Sequence, residues 1–480
     1  MPEKRATSRA VPGVDLHLDL RTGPCGRRAT LVRALREAVR SGRLAPGTRL
    51  PSSRALAADL GLARNTVADA YGELVAEGWL TALQGSGTRV ARRAAPRPPA
   101  PRPAPAPDAA RPAHDLRPGA GDVSTFPRAG WLSAARRALA AAPHEAFGYG
   151  DGRGRPELRE ALADYLARAR GVRTDPGRIV VCAGFIQGLA LLGRALRRRG
   201  VRELGMESYG LWYHRDTVER SGLRSVPLTV DGLGADVGQL EGLKTVKGVL
   251  LTPAHQFPTG APLHPARRAA VVDWAARTGG VIVEDDYDGE LRYDRQPVGA
   301  LQGLAPDLVV YCGTVSKSLA PGLRLAWLVL PEDLVADVRA VKATGEWTSG
   351  ALDQLTLAEF ITGGGYDRHV RSVRLHYRRR RDQLVAALAE HAPHIRVTGI
   401  AAGLHAVLEL PPGTEEATLR AADRQGLALE GLAPFRHPAA SGPAAPDGLI
   451  VNYGSPPAHA FSGALDSLLR VLPPAPADTP

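Results

Sequence analysis

Cysteine is scarce in this sequence, and long apolar runs are missing from it. Three cysteines, Cys25, Cys182 and Cys312, occur in 480 residues, and they lie far apart without the spacing of metal ligands. No run of 18 or more apolar residues exists, so we expect no membrane span. The basic N-terminus leads into no apolar stretch of the kind a secretory signal needs. These absences predict a reduced, cytoplasmic protein without a structural zinc or other metal site.

Positive charge lies mainly at one end of the chain. Residues 1–112 hold 19 Lys and Arg against 9 Asp and Glu, which accounts for most of the net charge of +12. A composition rich in arginine throughout would be the uninformative explanation, but it would not produce this asymmetry. A small basic segment beside a nearly neutral remainder predicts contact with a polyanion.

Changes of pattern along the chain predict two folded units and three irregular segments. Residues 1–26 show no sustained period and indicate a disordered arm. Helical patterning, followed by a hairpin signal, covers 27–92. The proline-rich stretch 93–114 indicates an extended linker, because proline lacks the N–H donor of a helix interior or central strand. Apolar strand-like runs alternate with helical stretches over 115–472, which predicts an α/β domain with a mostly parallel sheet, and 473–480 indicates a disordered tail.

The basic unit has the pattern of a winged helix-turn-helix. Thr30 is a candidate N-cap for the first of three helices, and Ser52 or Ser53 for the second. A tight turn at Gly61 leads into a third helix that begins at about Arg64. The runs WLTAL and TRVA, separated by a glycine turn, then predict the two strands of a wing.

The start of the third helix is expected to enter the major groove of DNA. Arg64 and Asn65 have donors and acceptors for base edges, whereas Thr66, Arg54 and the backbone amides near Gly85 suit phosphate oxygens. Each residue alone would ordinarily be a solvated surface group. The whole string, from LPSSR through LGLARNTV to GSGT, resembles the winged-helix domain of the GntR superfamily. That resemblance implies DNA contacts at these same five residues.

Two segments of the larger unit carry most of the candidate chemistry. YCGTVSKSLAPGLRLAW, residues 311–327, places Lys317 beside the hydroxyls of Thr314 and Ser316, with Arg324 seven residues further on. A lysine with a lowered pKa can attack an aldehyde, and hydroxyls, amides and an arginine suit a phosphate on the same molecule. GGVIVEDDYDGELRY, residues 279–293, delivers acids at the carboxyl end of an apolar strand, where open α/β sheets bind ligands.

The acidic run is ambiguous when it is taken alone. A carboxylate there could pair with a protonated pyridine nitrogen, and Tyr287 could bond a phenolic oxygen on the same ring. The alternative is that the acids form a solvated turn. Two further strand ends, TPAHQFPTGAPL and VVCAGFIQGLALL, lead into loops, and the second opens a helix whose N-terminus suits a phosphate.

Together these segments resemble fold type I pyridoxal-phosphate enzymes and, more narrowly, the MocR/GabR subfamily of GntR regulators, from about residue 115 to 470. The resemblance implies that Lys317 holds pyridoxal 5'-phosphate as a Schiff base, with Asp285 at the pyridine nitrogen and Tyr287 at the ring oxygen. It further implies two groups of supporting residues: Thr314, Ser316, Arg324 and the amides of Phe185 and Ile186 around the phosphate, and His255 and Gln256 lining the ring.

Two departures from the family pattern lie around the cofactor. Phe185 and Ile186 stand where small polar residues are usual, which removes side-chain hydrogen bonds to the phosphate. Leu211 stands where a tyrosine normally covers the ring face. The nearby aromatic residues that could substitute for it are Tyr209, Trp212 and Tyr213.

A third departure bears on function. Ile450 stands where many members have an arginine that binds a substrate carboxylate, and Arg436 and Arg374 are candidate replacements. Three functions therefore stay open. The first is a regulator that senses pyridoxal phosphate, or its adduct with an amino compound, and controls genes of vitamin B6 or amino-compound metabolism. The second is an active aminotransferase with an accessory DNA-binding head, and the third is a regulator with a decayed cofactor site.

The expected partners are double-stranded operator DNA, a small-molecule effector and a second copy of the chain. Cofactor sites of fold type I generally lie at a subunit boundary. A two-fold dimer would also present two heads to repeated half-sites on DNA.

Overall fold

The computed structural model describes residues 26–83, 87–92, 112–293, 298–344, 350–442 and 446–475. The chain divides into two compact units, Met1–Ala109 and Ala110–Pro480. Residues 1–25 of the predicted arm, 93–111 of the predicted linker and 476–480 of the predicted tail lie outside the described ranges. Within those ranges, no helix has both the length and the apolar character needed to cross a membrane.

The first unit is the predicted winged helix-turn-helix. Its elements are α1 (Arg27–Arg40), α2 (Ser53–Leu60), α3 (Arg64–Ala76), β1 (Leu80–Leu83) and β2 (Gly87–Val90). The two strands pair antiparallel, with Leu80 opposite Val90. Leu35, Val67 and Leu74 are among the buried side chains that hold the three helices together.

In this unit the observed caps of α2 are those predicted from the sequence, whereas the observed start of α1 differs from the predicted one. Ser52 Oγ accepts the N–H of Ala55 at 3.2 Å, and Gly61 ends α2 in the left-handed conformation with φ of 62°. The prediction that Thr30 caps α1 is wrong, because the helix starts three residues earlier, after Gly26, and Thr30 is buried inside it. Two arginines and an alanine precede Thr30, and these good helix formers extend the first turn.

The second unit contains ten α-helices in the described ranges. They are α4 (Arg128–Ala141), α5 (Pro156–Arg170), α6 (Phe185–Arg198), α7 (Trp212–Arg220), α8 (Pro265–Thr278), α9 (Glu332–Lys342), α10 (Ala351–Thr362), α11 (Gly365–His391), α12 (Glu415–Arg424) and α13 (Phe461–Val471). The strands are β3 (His114–Asp115), β4 (Ile179–Cys182), β5 (Glu203–Glu207), β6 (Arg224–Leu228), β7 (Val230–Asp231), β8 (Gly234–Ala235), β9 (Val246–Leu251), β10 (Val281–Asp285), β11 (Val309–Thr314), β12 (Ala326–Val329), β13 (Arg396–Thr398), β14 (His405–Glu409), β15 (Leu427–Ala428), β16 (Glu430–Gly431) and β17 (Gly448–Asn452).

A seven-stranded sheet organises this unit, in the order β4-β12-β11-β10-β9-β5-β6. The strands run parallel except for β12, which is antiparallel to both of its neighbours. This confirms the predicted α/β class and mostly parallel sheet. In the register of the two central strands, Asp285 on β10 lies opposite Cys312 on β11. The carboxyl ends of these strands therefore bring the acidic segment and the lysine segment to one edge of the sheet.

A smaller antiparallel sheet, β13-β14-β17-β16, supplies a second wall to the same region. β14 begins at His405, and β17 carries Ile450 and ends at Asn452. The short strand β3 pairs with β15 beside this sheet. The chain after the predicted linker is therefore bound to the second unit at His114 and Asp115, before it continues to the carboxyl edge of the large sheet.

A buried ion pair holds the turn after β10. The guanidinium of Arg170, at the end of α5, donates from Nε and Nη2 to the two oxygens of Asp286 at 2.7 and 2.9 Å. Tyr311 Oη donates to the same carboxylate at 2.8 Å. Both charged side chains are almost completely buried, so the loss of one would leave the other charge unpaired in a low-dielectric interior.

We predict that Arg170→Met lowers the free energy of unfolding by about 3–5 kcal/mol, because it strands the buried Asp286 carboxylate. Arg168 lies two residues earlier on the same helix and pairs with Asp367 at the surface. Arg168→Met is therefore the matched control, with an expected loss of about 1 kcal/mol or less. Urea unfolding followed by far-ultraviolet circular dichroism measures both variants, and equal losses would contradict a structural role for the buried pair.

Candidate functional site

A cavity of about 360 Å³ opens at the carboxyl edge of the large sheet. Its walls come from the strand ends, from the start of α6 and α7, and from the smaller sheet. Eight of the ten residues predicted to bind the cofactor line it: Phe185, Ile186, Asp285, Tyr287, Thr314, Ser316, Lys317 and Arg324. The structure thus gathers the lysine segment, the acidic segment and the helix N-terminus around one space.

Lys317 follows β11 in the loop at the cavity wall. Its Nζ donates a hydrogen bond to the backbone carbonyl of Gly119. Burial lowers the pKa of Lys317, and Asp288 and Asp285 oppose that shift. A larger share of this amine is therefore neutral at pH 7 than for a surface lysine, and the neutral amine is the form that attacks a carbonyl carbon.

Asp285 is the one acid of the segment 279–293 that lines the cavity. It is 5% exposed, and its carboxylate makes no hydrogen bond with any residue in the described ranges. Burial, followed by repulsion from Asp286 and Asp288, raises the pKa of Asp285 well above its usual range, although Lys317 favours the charged form. A buried carboxyl group without a protein partner leaves an acceptor for a ligand N–H group.

Tyr287 also lines the cavity, and a histidine and an acid hold its hydroxyl from behind. Nδ1 of His255 lies 2.8 Å from Oδ2 of Asp288 and 3.1 Å from the Tyr287 hydroxyl. Gln256 is buried too, and it bonds the backbone oxygen of Tyr209 at 2.9 Å. His255 and Gln256 are thus placed behind the cavity wall rather than on it. Phe257, the next residue, supplies the lining side chain there.

The opposite end of the cavity has the character of an anion site. Arg324 donates from Nη2 to the carbonyl of Ala183 at 2.6 Å, which places its guanidinium at the start of α6. The amides of Phe185 and Ile186 begin that helix and have no acceptor among the described residues. Arg324 itself has φ of 52°, the one positive φ at a described residue other than glycine. Helix N-terminal amides beside an arginine suit a phosphate.

The hydroxyls of this end are partly engaged within their own loop. Thr314 Oγ1 lies 2.9 Å from Ser316 Oγ, and it also bonds the carbonyl of Leu325 at 3.1 Å. The amide of Ser316 donates to Thr314 Oγ1 at 3.1 Å. Thr314 therefore shapes the loop, and Ser316 Oγ retains capacity to donate to a ligand oxygen.

The DNA-facing candidates of the first unit lie on and beside α3. Arg64 and Asn65 occupy its first turn and are exposed, and Thr66 is half-buried. Arg54, in the first turn of α2, is exposed, and neither arginine has an ion-pair partner within the described ranges. Ala63 precedes α3 without a side-chain cap, which leaves the N-terminal amides of α3 available. Gly85 lies outside the described residues.

Comparisons with known proteins identify both units. The family described as "Bacterial regulatory proteins, gntR family" matches residues 27–90, and "Aminotransferase class I and II" matches residues 118–439. The pyridoxine biosynthesis transcriptional regulator PdxR of Corynebacterium glutamicum is 31% identical over 88% of this chain and 91% of its own. The chain belongs to the MocR/GabR subfamily of GntR-type transcription regulators.

A second relative agrees with this membership, and a solved structure agrees with the fold of the second unit. The probable rhizopine catabolism regulatory protein MocR of Rhizobium meliloti is 33% identical over 83% of this chain and 84% of its own. The solved structure of LysN, an α-aminoadipate aminotransferase of Thermus thermophilus, covers 75% of this chain and 91% of its own with a TM-score of 0.64 and 26% identity. The fold of the second unit is therefore that of fold type I aminotransferases.

The cavity of this MocR-type chain fits pyridoxal phosphate by the chemistry of its donors and acceptors. A buried amine, a buried carboxyl group that no described residue hydrogen-bonds, and an anion site of amides and one arginine all face one space. In that arrangement Lys317 would hold the aldehyde carbon, Asp285 the pyridine nitrogen, and Arg324 with the α6 amides the phosphate. The close approach of Arg324 to Gly184 supports the assignment of the anion site. A Cβ added at Gly184 would lie 2.3 Å from Nη2 of Arg324, so the guanidinium occupies space that only glycine leaves open.

Several lining residues were not singled out from the sequence. They are Glu207 at the end of β5, His214 and Arg215 on α7, and His405 and Asn452 on the smaller sheet. Burial raises the pKa of Glu207 to about 7, and burial with the nearby cations Lys317 and Arg215 lowers the pKa of His214 to about 3. For the residues on β5 and α7 the sequence held a usable signal, because MESYGLWYHR contains the end of a strand. For His405 and Asn452 on the smaller sheet it held no comparable signal.

Of the residues proposed to cover the ring face, Leu211, Tyr209 and Tyr213 line the cavity, whereas Trp212 is 61% exposed. The two proposed carboxylate-binding arginines lie elsewhere. Arg436 donates to the carbonyl of Gly442, and Arg374 to that of Glu290. Neither is among the cavity-lining residues.

We predict that Gly184→Ala weakens pyridoxal phosphate binding by about 10-fold or more. A side chain at this position would displace the Arg324 guanidinium, which would then lose its charge-assisted hydrogen bond to the phosphate. Gly322 lies in the same Lys317–Arg324 loop and has open space around it, so Gly322→Ala is the control. Fluorescence titration with the cofactor measures both variants. Unchanged binding in Gly184→Ala would separate Arg324 from the phosphate.

Proposed function

We propose that this chain is a DNA-binding transcription regulator that senses pyridoxal 5'-phosphate, or its adduct with an amino compound, in its aminotransferase-like unit. The observation that carries the proposal is the convergence of Lys317, Asp285 and the Arg324 anion site in one cavity. When bound, the cofactor supplies an aldehyde that reacts with amines and a ring that withdraws electrons. Relatives support the assignment, since the LysN structure is described as a complex with N-(5'-phosphopyridoxyl)-L-leucine.

The chain path supports sensing. Pro118 and Gly119 line the cavity, and they follow the linker by a few residues in the sequence. Asn452, which also lines the cavity, donates from Nδ2 to the carbonyls of Arg117 and Ala120 at 3.1 and 3.0 Å. A ligand that bonds the amine of Lys317 takes away the hydrogen bond that this amine now donates to the carbonyl of Gly119. Cofactor binding therefore acts directly on the segment next to the linker, which is the differential contact a switch requires.

The regulated genes are proposed from the relatives' names. The Corynebacterium relative is named for pyridoxine biosynthesis and the Rhizobium relative for rhizopine catabolism. We infer that this cytoplasmic regulator controls genes of vitamin B6 or amino-compound metabolism.

The proposal includes a homodimer bound to double-stranded operator DNA. The second unit exposes large apolar side chains that a monomer would leave in water: Val123, Leu132, Leu139, Phe147, Tyr149 and Leu352. Leu132 and Leu139 are seven residues apart and so share one face of α4, and Tyr149 is 88% exposed. A second copy covering this surface would remove it from solvent.

Aminotransferase activity is the second candidate function, favoured by the same Lys317 and Asp285 arrangement and by the solved neighbours' fold. Against it, Ile450 is fully buried in an apolar cluster with Phe435 and Tyr209 at the position where many members bind a substrate carboxylate. Steady conversion of an amino acid with a keto acid would favour this function. Cofactor binding without turnover favours the regulator.

We predict that the purified chain with added pyridoxal phosphate shows a visible absorbance band, and that Lys317→Ala abolishes it because the covalent link is lost. Lys244 is exposed and is not among the cavity-lining residues, so Lys244→Ala should retain the band. Absorbance spectra after removal of free cofactor measure the outcome. A wild-type chain that gains no band would refute cofactor sensing and leave a decayed site.

We predict that Arg64→Ala weakens binding to an operator selected from random DNA by about 5- to 150-fold, through loss of a bidentate base contact. The cofactor band should stay intact. Arg33 is exposed on α1, and Arg33→Ala serves as the control for loss of one positive charge. Fluorescence anisotropy at fixed salt measures both. An unchanged affinity in Arg64→Ala would refute the placement of α3 in the major groove.

A further inference from the structure

Arg215 is a second arginine in the cavity wall, and it has no acidic partner among the described residues. It lies on α7 and is 8% exposed. Its Nη1 donates to the carbonyls of Gly210 and Phe435 at 2.9 and 3.3 Å. Within the described part of the chain, no carboxylate forms an ion pair with it, and its Nε and Nη2 groups have no acceptor.

The unused donors of Arg215 are open to the cavity, since they are not among the sealed polar atoms that lack a partner in the described chain. Burial disfavours the charged form and lowers the pKa of Arg215, yet a guanidinium stays protonated in proteins. The charge of Glu219 opposes this lowering of the pKa of Arg215. Glu219 lies one turn along α7, and its carboxylate accepts the hydroxyl of Ser225 at 2.8 Å. A buried cation with three unused donors indicates an anionic group in the cavity.

The unused donors also indicate the shape of that group. Nε and Nη2 form the side edge of the guanidinium, which binds the two oxygens of a carboxylate through parallel hydrogen bonds. Nη1 is held by two backbone carbonyls, so the orientation of the plane is fixed before a ligand arrives.

The surroundings of Arg215 differ from those of Arg324. Phe435, whose carbonyl Arg215 bonds, packs its ring against Phe257 at 5.4 Å, and both belong to the apolar cluster that includes Ile450 and Leu211. Arg324 instead lies at the start of α6. The cavity therefore has one arginine beside helix amides and another beside an apolar wall.

Lys317, His214 and Arg215 all line the same cavity. One small molecule in that cavity is therefore offered an amine-reactive site at the Lys317 end and an anion site at Arg215. Between these ends it would contact the lining side chains Leu211 and Phe257.

We propose that Arg215 binds the carboxylate of the effector, so that the sensed amino compound is an amino acid with an apolar body rather than a simple amine. This inference rests on the proposed function, because it presupposes that the cavity holds the cofactor. It assigns to α7 the carboxylate recognition that Ile450 on β17 does not provide.

The test uses the full chain loaded with pyridoxal phosphate and two probes of one shape, 3-methylbutanoate and its neutral amide. Isothermal titration calorimetry should show that the wild type binds the carboxylate about 10- to 100-fold more tightly than the amide. Arg215→Met should remove that preference, and Arg215→Lys should restore part of it. Arg436→Met is the control, because that side chain lies outside the cavity lining and should leave the preference intact.

The cofactor band of each variant separates the possible failures. A wild type without the band overturns the proposed function itself. A normal band with no carboxylate binding, with equal binding of the two probes, or with an undiminished preference in Arg215→Met overturns only the role of Arg215. Loss of the band in Arg215→Met, with a native circular dichroism spectrum, would assign Arg215 to the cofactor phosphate and also overturn the proposal.

Discussion

The acidic run after β10 is compatible with a folded interior because the protein treats each carboxyl group differently. Glu284 accepts the backbone amides of residues 301 and 302 at 2.7 and 2.9 Å. Asp286 pairs with a buried arginine, and Asp288 with His255. Asp285 faces the cavity instead, with no partner from the described chain. Glu290, the fifth acid of the segment, accepts the hydroxyl of Tyr366 at 3.2 Å. Because the other four carboxyl groups are satisfied internally, Asp285 can be reserved for a ligand, and the rest of the site depends on that allocation.

Two of these carboxyl groups also act on Lys317. Its buried ammonium form is favoured by Asp288 and Asp285, so the amine is less perturbed than burial alone would make it. Its Nζ meanwhile bonds the carbonyl of Gly119, in a segment attached at both ends. Before that point Leu116 bonds the smaller sheet, and after it the amide of Asp122 donates to Tyr377 at 3.0 Å. Between these ends Asn452 Nδ2 holds the carbonyls of Arg117 and Ala120, so the carbonyl that the lysine bonds lies in a segment that the smaller sheet also fixes.

The sequence predicted the parts of this site that are contiguous in the chain. The lysine segment and the acidic segment each end a strand of a parallel sheet, and such strand ends meet at one edge. The sequence also left open the alternative that the acids form a solvated turn. That alternative is excluded by the burial of four of them, Glu284, Asp285, Asp286 and Asp288. His255 and Gln256 were assigned to the ring from the family resemblance of their TPAHQFPTG stretch, but their side chains lie behind the wall. Their orientation depends on partners distant in the chain, Asp288 for His255 and Tyr209 for Gln256, and no local pattern in the sequence encodes those contacts.

The departures at Phe185 and Ile186 agree with the proposed sensing role better than with catalysis. Their backbone amides remain available to a phosphate, but their side chains supply no hydrogen bond, and each missing bond lowers affinity by about 1 kcal/mol. An enzyme gains from a cofactor that never leaves. A sensor of cofactor concentration needs the opposite, because a site that is always full cannot report a change in supply. Covalent capture at Lys317 combined with a phosphate site built from amides and one arginine would give a specific but reversible cofactor site.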